Sequence, residues 1–338
     1  MAEPLAAHTT LRVGGPAAEF VEAVDEQSLV AAVADADRRG MPVLVLAGGS
    51  NVLVSDEGFD GRVVAVRSSG VAAEVDDCSG ALVRVAAGEA WDPFVARAVS
   101  SGWVGIEALS GIPGSVGATP IQNVGAYGQE VAQTLASVRC WDRRAGRVQT
   151  FAAADCGFGY RTSRFKEEPG RHVVLEVAFQ LRLGDLGAPV AYAELARRLG
   201  VEVGDRVPMT GVREVVLALR RGKGMVLDAD DHDTWSAGSF FTNPVLDPAE
   251  VPDGAPAWPQ PDGRVKTSAA WLIEHAGFGR GYGTGPAGLS TKHTLALTNR
   301  GTATAADLLA LAREVRAGVR ARFGVSLVNE PVLVGCCL

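Results

Sequence analysis

The stretch GIEALSGIPGSVGATPIQNVGAYGQE, residues 105–130, decides how the chain is read. Gly111, Gly114, Gly117, Gly125 and Gly128 recur within eighteen residues, where ordinary turns need one or two glycines. The run is also poor in charge, which suits a loop buried against a large, flat, partly apolar ligand. A second glycine loop, GGSN at 48–51, follows PVLVLA (42–47), a nearly all-apolar run with the pattern of a buried strand. Its two glycines let amide N–H groups approach an anion, and Ser50 and Asn51 add donors. GGSN is neither the G-x-G-x-x-G fingerprint nor a loop ending in GK[ST], and alone a tight turn explains it as well. Two such loops in neighbouring segments imply one long ligand with a diphosphate in its middle, such as a dinucleotide.

The composition narrows the rest. A chain of 338 residues is long enough for two or three domains. Its net charge of −7 and the lack of a Lys/Arg block argue against a nucleic-acid groove or a membrane surface as partner. No apolar run approaches the ~20 residues a spanning helix needs. The start, MAEPLAAHTT, has neither a basic nor an apolar leader region, so no signal peptide is expected. The cysteines, Cys78, Cys140, Cys156, Cys336 and Cys337, are odd in number and irregular in spacing. They point to neither a disulfide framework nor a metal site, and fit a reducing cytoplasm.

Outward from the glycine loops, the periodicity predicts mixed helix and strand. Strands are expected at 18–24, 42–47, 61–66, 81–88, 137–142, 147–153 and 172–183, with helices at 25–39, 91–102 and 210–224. A third segment starts near Asp228, with a helix at 268–277 and a strand at 294–299. A long helix follows, in which Thr304 and Asp307 form a capping box and Leu308, Leu311, Val315, Val319 and Phe323 line one face. The closing run VSLVNEPVLVG (325–335) contains Pro331, which limits it to a strand end or edge.

Within that third segment, SAGSFFTNP (236–244) places Ser239 between Gly238 and two phenylalanines. It is not a G-x-S-x-G elbow, and a turn serine beside core aromatics is the plain reading of the stretch alone. Taken together, TTLRVGG (9–15), LAGGSNVLVSDEGFDG (46–61), residues 105–130, GYRTSRFK (159–166), SAGSFFTNP, GRVKTSAAWLIEHAG (263–277) and LVNEP (327–331) occur in that order. In this order the chain resembles the UDP-N-acetylenolpyruvoylglucosamine reductase (UDP-N-acetylmuramate dehydrogenase) family along nearly its whole length. The segment PVAYAELARRLG (189–200) is similar to the form of that family with an extra tyrosine-bearing loop. Small departures are Ala47 in place of a third glycine, Thr162 in place of an acidic residue, and the Cys336-Cys337-Leu338 tail.

The resemblance implies an α+β architecture: an FAD-binding fold of the vanillyl-alcohol-oxidase type in two subdomains, plus a C-terminal α+β substrate domain. The corresponding spans are 1–68 joined by 330–338, then 69–227, then 228–329. It implies a cytoplasmic, monomeric flavoenzyme of peptidoglycan precursor synthesis that reduces UDP-N-acetylglucosamine enolpyruvate with NADPH by ping-pong hydride transfer through non-covalent FAD. The flavin would be held by Gly48, Gly49, Ser50, Asn51, Gly111, Ile112, Pro113, Gly114, Ser115, Gly117, Ala118, Gln122, Asn123, Gly125 and Tyr127. Ser239 matches the family's proton donor to the substrate carbon, and Arg161 and Glu330 match its other two catalytic residues. Chemically, Arg161 offers a planar, permanent partner for a carboxylate. Glu330 beside a carboxylate is repulsive unless it is protonated, and protonated it could donate a hydrogen bond to the enolate. Tyr192, Lys223 and Asn243 would contact the UDP part, with Lys266 and His293 as further candidates. Another dehydrogenase on the same flavin fold, and a non-enzymatic nucleotide-binding module, are the competing readings.

Overall fold

The computed structural model of the protein describes residues 3–338. In chain order, β1 (Ala17–Ala23), α1 (Glu26–Arg38), β2 (Val43–Leu46), β3 (Val52–Val54) and β4 (Phe59–Val66) come first. Next are β5 (Val71–Asp76), β6 (Gly80–Ala86), α2 (Trp91–Ser100), β7 (Trp103–Val104), β8 (Gly125–Ala126) and β9 (Gln129–Glu130). They lead to β10 (Leu135–Asp142), β11 (Arg147–Ala152), α3 (Arg164–Glu167), β12 (His172–Leu183), α4 (Ala193–Leu199) and α5 (Met209–Gly222). The last part holds β13 (Val245–Leu246), β14 (Ala257–Pro259), β15 (Val265–Thr267), α6 (Ala269–His275), β16 (Ala287–Leu289), β17 (Leu297–Asn299), α7 (Ala305–Phe323) and β18 (Val332–Val334). No helix among the described residues is long and apolar enough to cross a membrane.

These elements form two compact units. One comprises residues 18–48 and 60–221; the other takes the chain as far as Ala17, then 49–59 and 222–338. The three spans expected from the resemblance cut the chain differently: the span 1–68 with 330–338 is shared between the two units, with 18–48 and 60–68 in one and 49–59 and 330–338 in the other. Residues 49–59 group with the C-terminal part of the chain and not with the segments on either side of them.

The 18–48/60–221 unit contains two sheets. A three-stranded sheet runs in the order β1-β4-β2, with β2 and β4 parallel. The six-stranded sheet is antiparallel, in the order β11-β10-β12-β6-β5, with β7 on β12. One core serves both: Leu29 and Val33 of α1, Val64 of β4, Val83 and Val85 of β6, and Val177 of β12 are all solvent-free. Trp91, Phe94 and Phe179 close it, with ring centroids 5.4–6.0 Å apart. Each such side chain contributes about 1.5–3 kcal/mol by leaving water. PVLVLA does form a strand, but Val43, Leu44 and Val45 are only half-buried. The sheet order explains this, since β2 lies at an edge while Val63, Val64, Ala65 and Val66 in the central β4 are buried.

In the other unit, α7 packs Leu308, Leu311, Val315 and Val319 into a second core with Phe240, Phe241, Leu272 and Leu297. Its N-terminus is capped as the sequence predicts: Thr304 Oγ1 accepts from the Asp307 N–H at 3.1 Å and Asp307 accepts from the Thr304 N–H at 2.9 Å. The Asp56 carboxylate adds acceptors for the Ala305 and Ala306 N–H groups at 2.8 and 2.9 Å. TLALTN is a strand only at Leu297–Asn299, and the closing run only at Val332–Val334, after Pro331 has withheld an N–H from any ladder. There β18 pairs in parallel with β3, Val332 opposite Val52, and so brings the LVNEP motif beside Asn51, the last residue of GGSN.

Candidate active site

In the unit that carries the C-terminus, the sequence motifs converge on Ser239. Gly238 adopts φ +71°, the left-handed turn that precedes Ser239. Phe240 and Phe241 then plunge into the core, 1 % exposed, leaving Ser239 half-buried. The Phe240 carbonyl accepts from the Glu330 N–H at 2.9 Å, and Thr242 N–H donates to Val328 O at 3.0 Å. Ser239 and Glu330 therefore sit on adjoining backbones. Asn51 joins them: its carbonyl accepts from Val332 N–H at 3.0 Å, and its side-chain amide reaches the Glu330 carbonyl at 3.4 Å.

The TTLRVGG motif is the floor of this arrangement. Gly49 has φ +58°, and a Cβ there would lie 2.0 Å from the His8 carbonyl oxygen, so only glycine fits. Thr10 N–H donates to Gly49 O at 3.1 Å, while the Thr10 hydroxyl donates to Ser236 O at 2.6 Å. One residue thus ties Gly49 of GGSN to the segment that bears Ser239. Arg12, at φ +53°, lies 3.8 Å over the Trp235 ring, and the Asn299 amide holds the Leu11 and Arg12 carbonyls at 3.0 and 3.3 Å. Neither Thr10 nor Asn299 has an expected site role. TTLRVGG does mark the first; nothing in TLALTN marks the second.

The other expected residues of this unit lie apart from that bridge in role. The Asn243 side-chain oxygen accepts from Ala269 N–H at 2.9 Å, capping the first turn of α6. Lys266 is on β15 opposite Val245, its ammonium 6.0 Å from the Trp258 ring. His293 donates its backbone N–H to Ser290 Oγ at 3.2 Å. Lys223 follows α5, half-buried. A shallow depression of about 550 Å³, lined by Tyr282, Pro286, Ala310 and Glu314 among others, contains none of the expected residues.

In the 18–48/60–221 unit the two glycine-rich loops meet. A Cβ on Gly48 would lie 2.7 Å from the Gly114 Cα, so backbone presses on backbone there. Gly114 is held by its carbonyl, which accepts from Trp91 N–H at 3.0 Å. Gly111 donates its N–H to Asp92 at 2.6 Å, and Arg213 grips the same carboxylate at 2.6 and 2.9 Å. Burial opposes the charge on Asp92, but these donors outweigh it and hold its pKa below the usual carboxylate range. Ser115 is buried beside these loops with no partner for its hydroxyl among the described residues. A buried orphan hydroxyl next to the touching point of two glycine loops is what a polar ligand would satisfy. The residues present thus fit the diphosphate of FAD.

Arg161 is in the same unit. Its guanidinium donates to the Gly125 carbonyl at 2.8 Å, and its own carbonyl accepts from the Lys166 ammonium at 2.9 Å. Arg161, Asn123 and Tyr127 have φ values of 55°, 46° and 50°, three non-glycine residues in left-handed backbone within one group of loops. Such strain, of order 1–3 kcal/mol each, gathers at functional sites. Asn123 fastens the group, donating to Glu130 at 2.8 Å and to Gly159 O at 3.1 Å. Tyr192 stands edge-on to Tyr127, centroids 5.6 Å apart, and is half-exposed. Asp92 and Arg213 carry no motif, and their hold on Gly111 has no signal in the sequence.

Comparison with known proteins shows what the chain is similar to. Residues 17–152 match the FAD binding domain family, and 230–334 match the C-terminal domain family of UDP-N-acetylenolpyruvoylglucosamine reductase. The reductase of that name from Cutibacterium acnes is 62 % identical over 99 % of this chain and 90 % of its own length. That from Thermobifida fusca is 60 % identical over 99 % and 98 %. The crystal structure of the Thermus caldophilus reductase superposes with a TM-score of 0.66 at 27 % identity, covering 99 % of this chain and 98 % of that one. The flavin-binding α+β fold that the ordered motifs imply is therefore the fold of a chain that belongs to the UDP-N-acetylenolpyruvoylglucosamine reductase family.

Proposed function

We propose that the chain is a cytoplasmic, monomeric, NADPH-dependent reductase in which Ser239, Arg161 and Glu330 carry out the reaction. Family membership makes it an FAD enzyme that reduces the enolpyruvyl group of UDP-N-acetylglucosamine enolpyruvate in peptidoglycan synthesis. FAD would be held by the 48–51 and 111–127 loops, with Ser115 and the amides around Gly48 and Gly114 toward its diphosphate. Bound flavin supplies a hydride carrier between NADPH and the substrate double bond.

The protein must then manage charge. Hydride addition to the terminal carbon leaves negative charge on the next carbon and its carboxylate. Arg161 binds that carboxylate as a two-pronged cation. Glu330, protonated, donates to the enolate oxygen, and the Ser239 hydroxyl delivers its proton to the carbon. Tyr192, Lys223, Asn243 and Lys266 bind the UDP portion. The observation that carries this assignment is the Glu330 N–H donating to the Phe240 carbonyl, which makes Glu330 the neighbour of Ser239. The division of labour is by the three spans 1–68 with 330–338, 69–227 and 228–329.

The test is spectroscopic. Purified protein should show a flavin spectrum that bleaches with NADPH and recovers on adding the enolpyruvyl substrate. Bleaching without recovery would leave a flavin reductase and overturn the assigned substrate.

A further inference from the structure

Glu107 lies in the glycine-rich stretch yet has no part in the chemistry above. Its side chain is 1 % exposed. One oxygen accepts from Gly105 N–H at 2.7 Å; the other accepts from the Gln129 amide at 3.0 Å and from Ala188 N–H at 2.6 Å. A buried carboxylate is costly unless it is fully hydrogen-bonded, and hydrogen bonds to an ionised acceptor are about twice as strong as neutral ones. Three donors converging on it make Glu107 a hub rather than a filler.

The three donors belong to different parts of the unit. Gln129 is in β9, paired with Ala126 in β8, and its side-chain oxygen accepts from Ala108 N–H at 2.8 Å. The neighbouring pair of that hairpin is Glu130 and Gly125, and the Gly125 carbonyl is what holds the Arg161 guanidinium. Ala188 begins the segment that leads to Tyr192. The fit is close: a Cβ on Gly187 would lie 2.8 Å from the Glu107 carboxylate, and a Cβ on Gly128 would lie 2.8 Å from the Ala191 side chain. Val190 is buried with Ala108, and Tyr192 meets Tyr127 edge-on. Pro189 restricts Ala188 to extended backbone, so the position of its N–H is carried forward along the segment.

We infer that Glu107 is a positioning residue for the reaction: it fixes the Tyr192 segment against the 125–130 hairpin that holds Arg161. The carboxylate needs no contact with substrate to do this. The inference rests on the reading of Tyr192 as a substrate contact. It goes further by naming what sets the place of that tyrosine.

The experiment is a double-mutant cycle on the holoenzyme. Glu107→Gln keeps the size of the side chain but puts an N–H against a donor. It should raise the KM for the enolpyruvyl substrate roughly tenfold, a loss of ground-state and transition-state binding alike, while kcat changes little. Flavin content and the rate of bleaching by NADPH should stay near those of the parent, which a general loss of structure would not allow. In a Tyr192→Ala background the same substitution should add nothing, because the two act as one unit. Gly187→Ala, which crowds the carboxylate without altering it, should reproduce the KM effect and serves if Glu107→Gln does not fold. An unchanged KM in Glu107→Gln, with Tyr192→Ala impaired, overturns the inference and leaves the Tyr192 reading standing. An unchanged KM in Tyr192→Ala overturns both.

Discussion

In the proposed reaction Ser239 is a weak acid asked to protonate carbon, and its setting would explain why a hydroxyl suffices. Its proposed partner is a strongly basic, enolate-like carbon, so the transfer need not run uphill once the hydroxyl is placed. Placement comes from the left-handed Gly238 on one side and the buried Phe240 on the other, with Phe240 O fixed by Glu330 N–H. Ser239→Ala should therefore fold, bind FAD and bleach with NADPH at the parent rate, because none of those steps uses the hydroxyl. Its reoxidation by the enolpyruvyl substrate should slow by ~10²- to 10⁴-fold, the usual worth of a positioned proton donor. Ser239→Cys should recover part of that rate, since a thiol of similar size also donates. Stopped-flow measurement of the two half-reactions separates these effects, and a normal reoxidation rate in Ser239→Ala would reduce the residue to a turn serine. The serine's proposed role is legible only through SAGSFFTNP taken with the other motifs. Its pairing with Glu330 is not, because Phe240 and Glu330 are far apart in sequence and meet through backbone atoms that no side-chain pattern encodes.

At the scale of elements, regular periodicity is legible in the sequence and irregular loops are not. Helix α7 shows its capping box and its apolar face in the sequence, and both are present. The glycine loops advertise a ligand, but the contact between them, Gly48 against Gly114, is a long-range closure invisible in either loop alone. The same holds for Arg161, whose left-handed backbone and bond to Gly125 O depend on how 121–130 and 159–166 fold together. The apolar run of β2 reads as a buried strand, whereas its edge position is a property of the whole sheet. The Gly48–Gly114 closure yields a prediction. In Gly48→Ala the new methyl would stand 2.7 Å from a backbone carbon, which no side-chain rotation can relieve, so one loop must move. The chain should keep its far-ultraviolet dichroism but release FAD on gel filtration that the parent retains. Gly279→Ala is the control, because a methyl there meets nothing within 4 Å and the backbone is not in the left-handed region. Equal flavin retention in Gly48→Ala and parent would remove the closure from the binding site.

For the molecule as a whole, stability against acid should be set partly by one buried carboxylate that has no part in the proposed reaction. Asp142, at the end of β10, is solvent-free. Arg171 donates to it at 2.8 and 3.1 Å, and the Arg144 and Ala145 N–H groups at 2.9 and 3.0 Å. The Arg171 hydrogen bond, then the two backbone donors, hold its pKa at about 2 against an ordinary 3.8, although burial pulls the other way. A depressed folded-state pKa means that the unfolded chain binds the proton more tightly. The stabilisation is therefore complete above pH 3.8 and is lost as the pH falls from there toward 2. The shift is worth on the order of 2 kcal/mol. His172 has the same sign higher up: burial pushes its imidazole below the ordinary 6.5, against the pull of Asp142 at 3.7 Å. Its contribution is full above 6.5 and declines as the pH drops below it. Neither group can be singled out from the sequence, since HVVLEVAFQLRL and SVRCWD read only as strands and their antiparallel register, Asp142 opposite His172, creates the cluster. In denaturant titrations, Asp142→Asn should be less stable than the parent at pH 5 and above, with the gap narrowing as the pH is lowered below 3.8. His172→Gln should flatten the decline just below pH 6.5 while leaving the lower window in place. A parent–Asn gap of constant size from pH 6 to pH 3 would show that Asp142 acts by shape and neutral hydrogen bonds, not by its charge.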